Sequence, residues 1–448
     1  MNTDVLVIGG SAAGLVAAMT TKSNYPEKDV TLIRREEKVM IPCGIPYIFG
    51  TVGTTDKNVL PDAGLEKLGV NIIVDQVTSV DKKAKSCQTE KGESITFEKL
   101  IIATGSTPIV LESIKGNDKK NVYVVLKNKE YLDNLHNSVK NLEKIVVIGA
   151  GFIGVEMSDE FNKESKDVTL IEVLPHIMGT AFDQEFADKA EENLKSRGIK
   201  VMTQTAVKEI KGDDKVTGVL LDNGEELEAD AVILSCGYKP NIKLAEKIGL
   251  QLNKFGFIEV DQYMRTNIPD IFAAGDCAEK HDFSTGKLSK VMLASTACAE
   301  ARVAAMNLFK LSTIKTFRGT IGIYSTCINQ TSYAVAGLTE TMARNENFDI
   351  VTGTFSGIDR HPGCLDDSSP QTVKLIVLRE SGVVLGGEVC AGKSGGELIN
   401  VIGFAIQNHM TIYDFLVAQI GTQPMLTASP AAYPLIKAAE LCAKKMRK

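Results

Sequence analysis

The chain reads as an α/β protein: two parallel-sheet units built on one plan, followed by an α+β domain. Three observations predict this. A small-residue turn, Gly9-Gly10-Ser11-Ala12-Ala13-Gly14, follows an apolar run near the N-terminus. A second turn, Gly149-Ala150-Gly151-Phe152-Ile153-Gly154, follows another apolar run. After about residue 320 the pattern changes to short strands followed by two helical stretches.

Residues 4–10 read as a strand, since Val5-Leu6-Val7-Ile8 is apolar and ends in two glycines. Ala12 to Thr20, rich in Ala, Leu and Met, reads as a helix, and Asp29-Val30-Thr31-Leu32-Ile33 as the next strand. Strand, turn, helix and strand in sequence make the unit that a parallel sheet with a right-handed crossover requires. The unit recurs at 144–172, with an apolar run from Lys144 to Ile148, a helix from about Ile153 and the strand Val168-Thr169-Leu170-Ile171. Three further strands end in small residues: Leu100 to Gly105, Ala231 to Gly237 and Asp270 to Asp276. Strands at 321–337, 349–355, 372–378 and 383–390, then helices at 394–409 and 430–446, complete the α+β part.

Composition narrows the function classes. With 56 acidic and 50 basic residues, a net charge of −6 offers no electrostatic reason to expect nucleic acid or an anionic membrane as partner. No apolar run reaches the roughly 20 residues that span a bilayer. The run Val5 to Ile8 lacks the basic flank of a signal peptide, so a cytoplasmic location is expected. The nine cysteines are an odd number, and no pair has Cys-x-x-Cys spacing, so neither a secreted disulfide scaffold nor a metal site is expected.

The second turn fits the dinucleotide fingerprint in full. Its glycines allow a tight turn, backbone approach to a pyrophosphate and close helix packing, and the helix N-terminus supplies N–H groups to the phosphates. Glu172 ends the following strand, where an acid accepts from the adenosine ribose hydroxyl and repels a 2′-phosphate, which favours NADH over NADPH. The first turn is a looser match, because Ser11 replaces the second glycine. The acid expected after its second strand is missing as well: Ile33 is followed by Arg34, which leaves Glu36, Glu37 or another means of holding the ribose.

Thr266-Asn267-Ile268-Pro269-Asp270-Ile271-Phe272-Ala273-Ala274-Gly275-Asp276 resembles the flavin-binding segment of the two-dinucleotide-binding flavoproteins, and Ala103-Thr104-Gly105 resembles their other short FAD motif. The resemblance implies two Rossmann-like domains and a C-terminal α+β dimerisation domain. FAD would take 1–112 and 250–320, NADH would take 113–249, and 321–448 would form the interface of a homodimer. It assigns to FAD Gly9, Gly10, Ser11, Ala12, Ala13, Gly14, Arg34, Pro42, Val77, Thr104, Gly105, Gly275, Asp276, Leu293 and Ala294. It assigns to NADH Gly149, Gly151, Phe152, Ile153, Gly154, Glu172 and Gly237.

Met40-Ile41-Pro42-Cys43-Gly44-Ile45-Pro46-Tyr47 carries the reactive residue. A helix is expected from Ile45 to Phe49, and a cysteine at a helix N-terminus has its thiolate stabilised by the dipole. Here the chain resembles the single-cysteine branch of the pyridine nucleotide-disulfide oxidoreductases: coenzyme A-disulfide reductases, NADH-dependent persulfide or polysulfide reductases, and NADH peroxidases and oxidases. That branch places its reactive cysteine against the flavin, in a context that Cys43-Gly44-Ile45-Pro46-Tyr47 matches. Ile48 stands where a two-cysteine reductase has its partner, so the oxidised form is expected to be a mixed disulfide, a persulfide or a sulfenic acid.

Peroxidase and oxidase members are similar in carrying a histidine in the first glycine turn. This chain has none before His136, which favours a disulfide, persulfide or polysulfide as substrate over peroxide or oxygen. Coenzyme A-using relatives have arginines late in the first helix, where this chain offers Lys22; Lys67 is a further candidate. Their Tyr-Pro-Gly segment becomes Arg360-His361-Pro362-Gly363, and Gly421 to Leu426 lacks their second tyrosine. Lys22, Lys67, Arg360 and His361 are therefore candidate substrate residues, with Cys364 as a candidate second thiol. Three alternatives remain open: an NADH oxidase or peroxidase working through a Cys43 sulfenic acid, a non-catalytic NADH-sensing flavoprotein, and a reductase of a small iron protein. The extra rhodanese domain of some relatives is not expected, since the chain ends at Lys448.

Overall fold

The structure, a computed structural model, describes residues 1–311 and 316–447; residues 312–315, within the segment expected to return to the FAD domain, and Lys448 lie outside the described residues. The first sheet is built around Asn2–Ile8, flanked in parallel by Val30–Arg34 and by Ser94–Ile102, which pairs with it from Thr96 to Ile102. Asn71–Val74 extends one edge, and the antiparallel strands Ser86–Thr89 and Val77–Asp81 extend the other. The late strand Ile271–Ala273 also joins in parallel, with Phe272 opposite Ile101. That register puts Gly275 and Asp276 at the same carboxyl end as the first glycine turn, where ligands of open α/β sheets bind.

The second sheet is wholly parallel, in the order Lys200–Met202, Asp167–Ile171, Lys144–Ile148, Ala231–Leu234, Val122–Val124. Its central strands are continuous apolar runs because both faces are covered. An antiparallel ribbon of Ser106–Pro108 with Tyr238–Pro240 joins the two units. The C-terminal sheet is antiparallel, in the order Tyr324–Ile328, Thr331–Gly337, Val384–Ala391, Pro370–Leu378, Ile350–Ile358. The helices Gly395–Gln407 and Pro434–Met446 share one core with it. Among the described residues, no helix is long and apolar enough to cross a membrane.

One hydrophobic core runs through all three parts near the reactive segment. It unites Met40, Ile45, Ile48 and Phe49 with Val155 and Phe161 of the helix Phe152–Lys163, and with Ile328, Tyr333 and Val335 of the C-terminal sheet. A buried charge cluster makes a second seam. Lys374 of the C-terminal sheet lies 3.0 Å from Asp183 and 3.1 Å from Glu340, while Glu388 accepts the Asp183 backbone N–H at 2.7 Å.

Two expectations differ in detail. The helix expected over Ile45 to Phe49 is instead two 3₁₀ turns, Pro42–Gly44 and Pro46–Phe49. Each proline fixes φ and lacks an N–H, so each opens a new short turn and no α-helical ladder runs through. The final helix starts at Pro434, and Pro430–Ala432 forms a separate 3₁₀ turn, since proline is tolerated in the first turn of a helix and not within it.

Candidate active site

The first turn is shaped for close approach. Gly9 has φ +121°, and a Cβ added there would lie 2.1 Å from the Ala103 carbonyl oxygen; one added at Gly14 would lie 1.8 Å from the Gly9 oxygen. Ser11 is the N-cap of the helix Ala12–Asn24, but its side chain caps nothing, and no acid sits in the first turn. The N–H groups of that turn thus face outward for an anion. Gly275 packs against Ala13 and Ala297, so the Asp276 turn, the first glycine turn and the helix Ala294–Met306, with Leu293 as its N-cap, converge. Thr104 donates to the Asn241 carbonyl at 2.7 Å, which anchors the Thr104-Gly105 turn beside them, and Val77 is buried in the core behind.

These residues fit a flavin dinucleotide on two structural counts. The glycines leave room that a Cβ would fill. Arg34 is 6% exposed, yet its Nε–H has no acceptor among the described residues; a buried donor in that position suits a ligand oxygen.

The second turn repeats the geometry. Gly149 has φ +98°, and a Cβ at Gly154 would lie 1.9 Å from the Gly149 oxygen. Glu172 accepts from the Ala150 N–H at 2.7 Å and from the Leu174 N–H at 2.9 Å, so its carboxylate is fixed at the turn. Phe152 stacks on Tyr324 of the C-terminal sheet at 5.1 Å, and Ile153 packs partly buried against the shared core. Gly237, with φ +95°, follows the strand Ala231–Leu234 at the same carboxyl end.

Cys43 is solvent-accessible in the turn Pro42–Gly44. Asn58 donates to the Ile41 carbonyl at 3.0 Å and holds this turn from beneath. Thr51, just past the second turn Pro46–Phe49, anchors the end of the segment, giving Glu160 its N–H at 2.6 Å and its hydroxyl at 2.9 Å. The Cys43 thiol lies within electrostatic reach of Glu156, Lys127 and Asp276. Enough protein surrounds it that desolvation raises its pKa; Glu156 and Asp276 add to the rise, and Lys127 and a backbone hydrogen bond oppose it. This corrects the expectation of a thiolate stabilised by a helix N-terminus: the helix is absent, and burial outweighs the local dipoles.

Lys127 and Glu156, which the sequence did not single out, act on this thiol, each within a small polar network. Lys127 donates to Asp276 at 3.2 Å and to Ser106 at 2.9 Å, and Ser106 donates to Asp276 at 2.7 Å. Glu156, two residues beyond Gly154, accepts from Thr326 at 2.8 Å, and burial lifts its carboxyl to about 7. Tyr47 lies against Glu156 and Thr326, and its phenol is raised first by burial and next by Glu156. Lys127 lies in a stretch with no motif, and Ser106 directly follows the Ala103-Thr104-Gly105 motif.

The candidate substrate residues do not converge on Cys43 within one chain. Lys22 donates to the carbonyls of Pro26 and Lys28 at 3.0 and 2.8 Å, closing the end of its own helix. Lys67 is exposed in the last turn of the helix Ala63–Leu68. Arg360 pairs with neighbouring Asp359 at 3.1 Å, and the His361 ring bonds the Thr427 carbonyl at 2.8 Å, tying two C-terminal loops together. Cys364 is exposed in the first of these loops.

Residues 3–301 match the model of the pyridine nucleotide-disulphide oxidoreductase family, and residues 323–432 match the dimerisation domain of that family. The chain is similar to an NADH oxidase of Enterococcus faecalis, with 29% identity over 432 residues, covering 94% of this chain and 95% of that protein. It is similar to a CoA-dependent NAD(P)H sulfur oxidoreductase of Pyrococcus abyssi, with 34% identity over 373 residues, covering 80% of this chain and 81% of that one. Among solved structures, an NAD-dependent persulfide reductase from A. fulgidus superimposes with a TM-score of 0.91 at 31% identity, covering 100% of this chain and 84% of that one. With both glycine turns, the Gly275-Asp276 end and the dimerisation sheet in place, this chain belongs to the pyridine nucleotide-disulphide oxidoreductase family, as an FAD- and NADH-dependent oxidoreductase.

Proposed function

We propose that the chain reduces a disulfide, persulfide or polysulfide with NADH, through Cys43 as its single redox-active cysteine. The observation that carries this is the setting of the Cys43 thiol: accessible, and within electrostatic reach of Asp276, the residue expected to hold the flavin ribityl chain. FAD, bound across 1–112 and 250–320, supplies two-electron transfer between NADH on 113–249 and sulfur. The Cys43 thiolate attacks one sulfur of the substrate. A bond forms to Cys43, the substrate S–S bond breaks, and the departing thiolate takes up a proton. Two electrons from NADH then split the Cys43 adduct, releasing the second thiol or sulfide and restoring the thiolate. Lys127 stabilises the anion at Cys43, while Glu156 and Asp276 limit how long it persists at neutral pH. The dimerisation match favours a homodimer.

An NADH oxidase reading is favoured by one observation, the similarity to the Enterococcus faecalis NADH oxidase over most of both chains. Steady-state rates with polysulfide, coenzyme A disulfide, peroxide and oxygen separate the two. A sulfur substrate is expected to be fastest; a peroxide or oxygen rate far above every sulfur rate overturns the proposal. Anaerobic NADH titration with mass analysis of Cys43 identifies the thiol released.

A further inference from the structure

The strand Val30–Arg34 ends beside the first glycine turn, with Ile33 opposite Ile8. In a dinucleotide-binding unit the adenosine ribose lies past this strand end, where an acid normally accepts from its hydroxyls. Arg34 stands there instead. It is packed directly under the turn: a Cβ on Gly10 would lie 2.6 Å from the Arg34 Cδ.

A carboxylate reaches the same place from elsewhere in the chain. Arg34 Nη1 and Nη2 donate to the two Asp62 oxygens at 2.5 and 2.6 Å, and Nη2 also donates to the Glu37 carbonyl at 2.8 Å. The hydrogen bonds from Arg34 hold the Asp62 carboxyl below the usual carboxylate range. The Asp62 carbonyl accepts the N–H groups of Leu65 and Glu66, and Leu65 is fully buried, so the residue is anchored. Its side chain remains 25% exposed. A carboxylate has about four acceptor positions, and the guanidinium fork uses two of them. Of the local alternatives, Glu36 pairs with Arg35 at 3.5 Å, and Glu37 is exposed.

We propose that Arg34 and Asp62 together form the adenosine-ribose subsite for FAD, with Asp62 accepting the ribose hydroxyls in place of the missing strand-end acid. The unpartnered Arg34 Nε–H donates to an oxygen of the same nucleotide. This rests on FAD occupying the first turn, and on no assumption about the sulfur substrate.

The test compares FAD with FMN, which lacks the adenosine half. In the holoenzyme, release of FAD on dilution is followed by its fluorescence, for the wild type, Asp62→Asn, Asp62→Glu and Arg34→Met. Asp62→Asn and Arg34→Met are expected to release FAD about tenfold faster or more, with partial rescue in Asp62→Glu. Thermal unfolding of flavin-depleted protein with each flavin added back supplies a second readout. The wild type is expected to gain more from FAD than from FMN. In Asp62→Asn that gap closes, while the gain from FMN is unchanged. Wild-type FAD release by Asp62→Asn overturns the inference, as does an equal loss of the FAD and FMN gains, which would show that the pair serves only the fold. If the wild type itself gains equally from both flavins, the fault lies with placing FAD at the first turn.

Discussion

Glu300 accepts the backbone N–H of Gly275 at 2.7 Å, with no exposed surface of its own. Lys280, equally buried, donates to the carbonyl of the same glycine at 2.7 Å and lies 3.5 Å from Glu300. A buried ion pair thus holds both backbone polar groups of Gly275, the residue that precedes Asp276. Burial lifts the Glu300 carboxyl to about 7, and Lys280 opposes the rise.

Removing one partner of a buried pair costs about 3–5 kcal/mol, because the other charge is left uncompensated. Lys280→Met is expected to reach that range only at alkaline pH. Below about pH 7 its Glu300 escapes by protonation. With the lysine gone the folded-state pKa rises further, so stability continues to fall with pH where the wild type is already level. Chemical unfolding of both proteins at pH 6 and pH 8.5 checks this. An equal deficit at both pH values would show that the pair is not electrostatically coupled.

Cys43→Ser should abolish turnover of sulfur substrates, by about a thousandfold or more, while leaving FAD bound and reducible by NADH. The neighbours of the thiol make finer predictions. Glu156 raises the Cys43 pKa and Lys127 lowers it. At fixed pH, Glu156→Gln should therefore speed alkylation of the reduced holoenzyme by iodoacetamide, and Lys127→Met should slow it. Rates following the opposite order would remove Glu156 and Lys127 as the groups that set the thiolate fraction.

The parts of this site that were legible in the sequence are those made by local backbone. Gly9, Gly149 and Gly154 announce themselves because a turn and a close approach demand the absence of Cβ. Cys43 is visible through its neighbours Pro42, Gly44 and Pro46, and the two prolines replace the expected helix with 3₁₀ turns. The electrostatics was not legible. Lys127 meets Asp276 from 149 residues away, and Thr326 meets Glu156 from 170. Such pairs depend on how the three sheets dock, and no spacing rule in one sequence encodes that. Arg34 shows both sides: the missing acid was evident, but its replacement by Asp62 needed the fold.

The Glu156 carboxyl titrates near 7 because burial disfavours its charge, and the hydrogen bond from Thr326 only partly offsets this. The folded-state pKa is raised, so the stability contributed by the neutral acid is full below the unfolded-state pKa near 4.3. It is lost as pH rises through about 7. The shift corresponds to about 3 kcal/mol. Glu156→Gln preserves an acceptor for Thr326 and cannot ionise. It should gain on the wild type by about that amount between pH 5 and pH 8, read as diverging urea midpoints. Parallel midpoints across that range would show that Glu156 is charged throughout.

We propose that Glu172 decides between the two nicotinamide nucleotides by charge; it also serves the turn by accepting the Ala150 N–H. Deleting the side chain would confound these roles, whereas Glu172→Gln separates them. Glutamine keeps an oxygen for Ala150, gives up the bond from the Leu174 N–H, and loses the charge that repels a 2′-phosphate. With the turn retained, the effect should fall on selectivity: kcat/KM for NADPH should rise and that for NADH should fall, narrowing the ratio by about tenfold or more. The carboxylate acts on a charged phosphate across a short distance, so the NADPH term should also be the more sensitive to salt. Unchanged selectivity with a weakened turn would mean that Glu172 holds Ala150 and does not read the ribose.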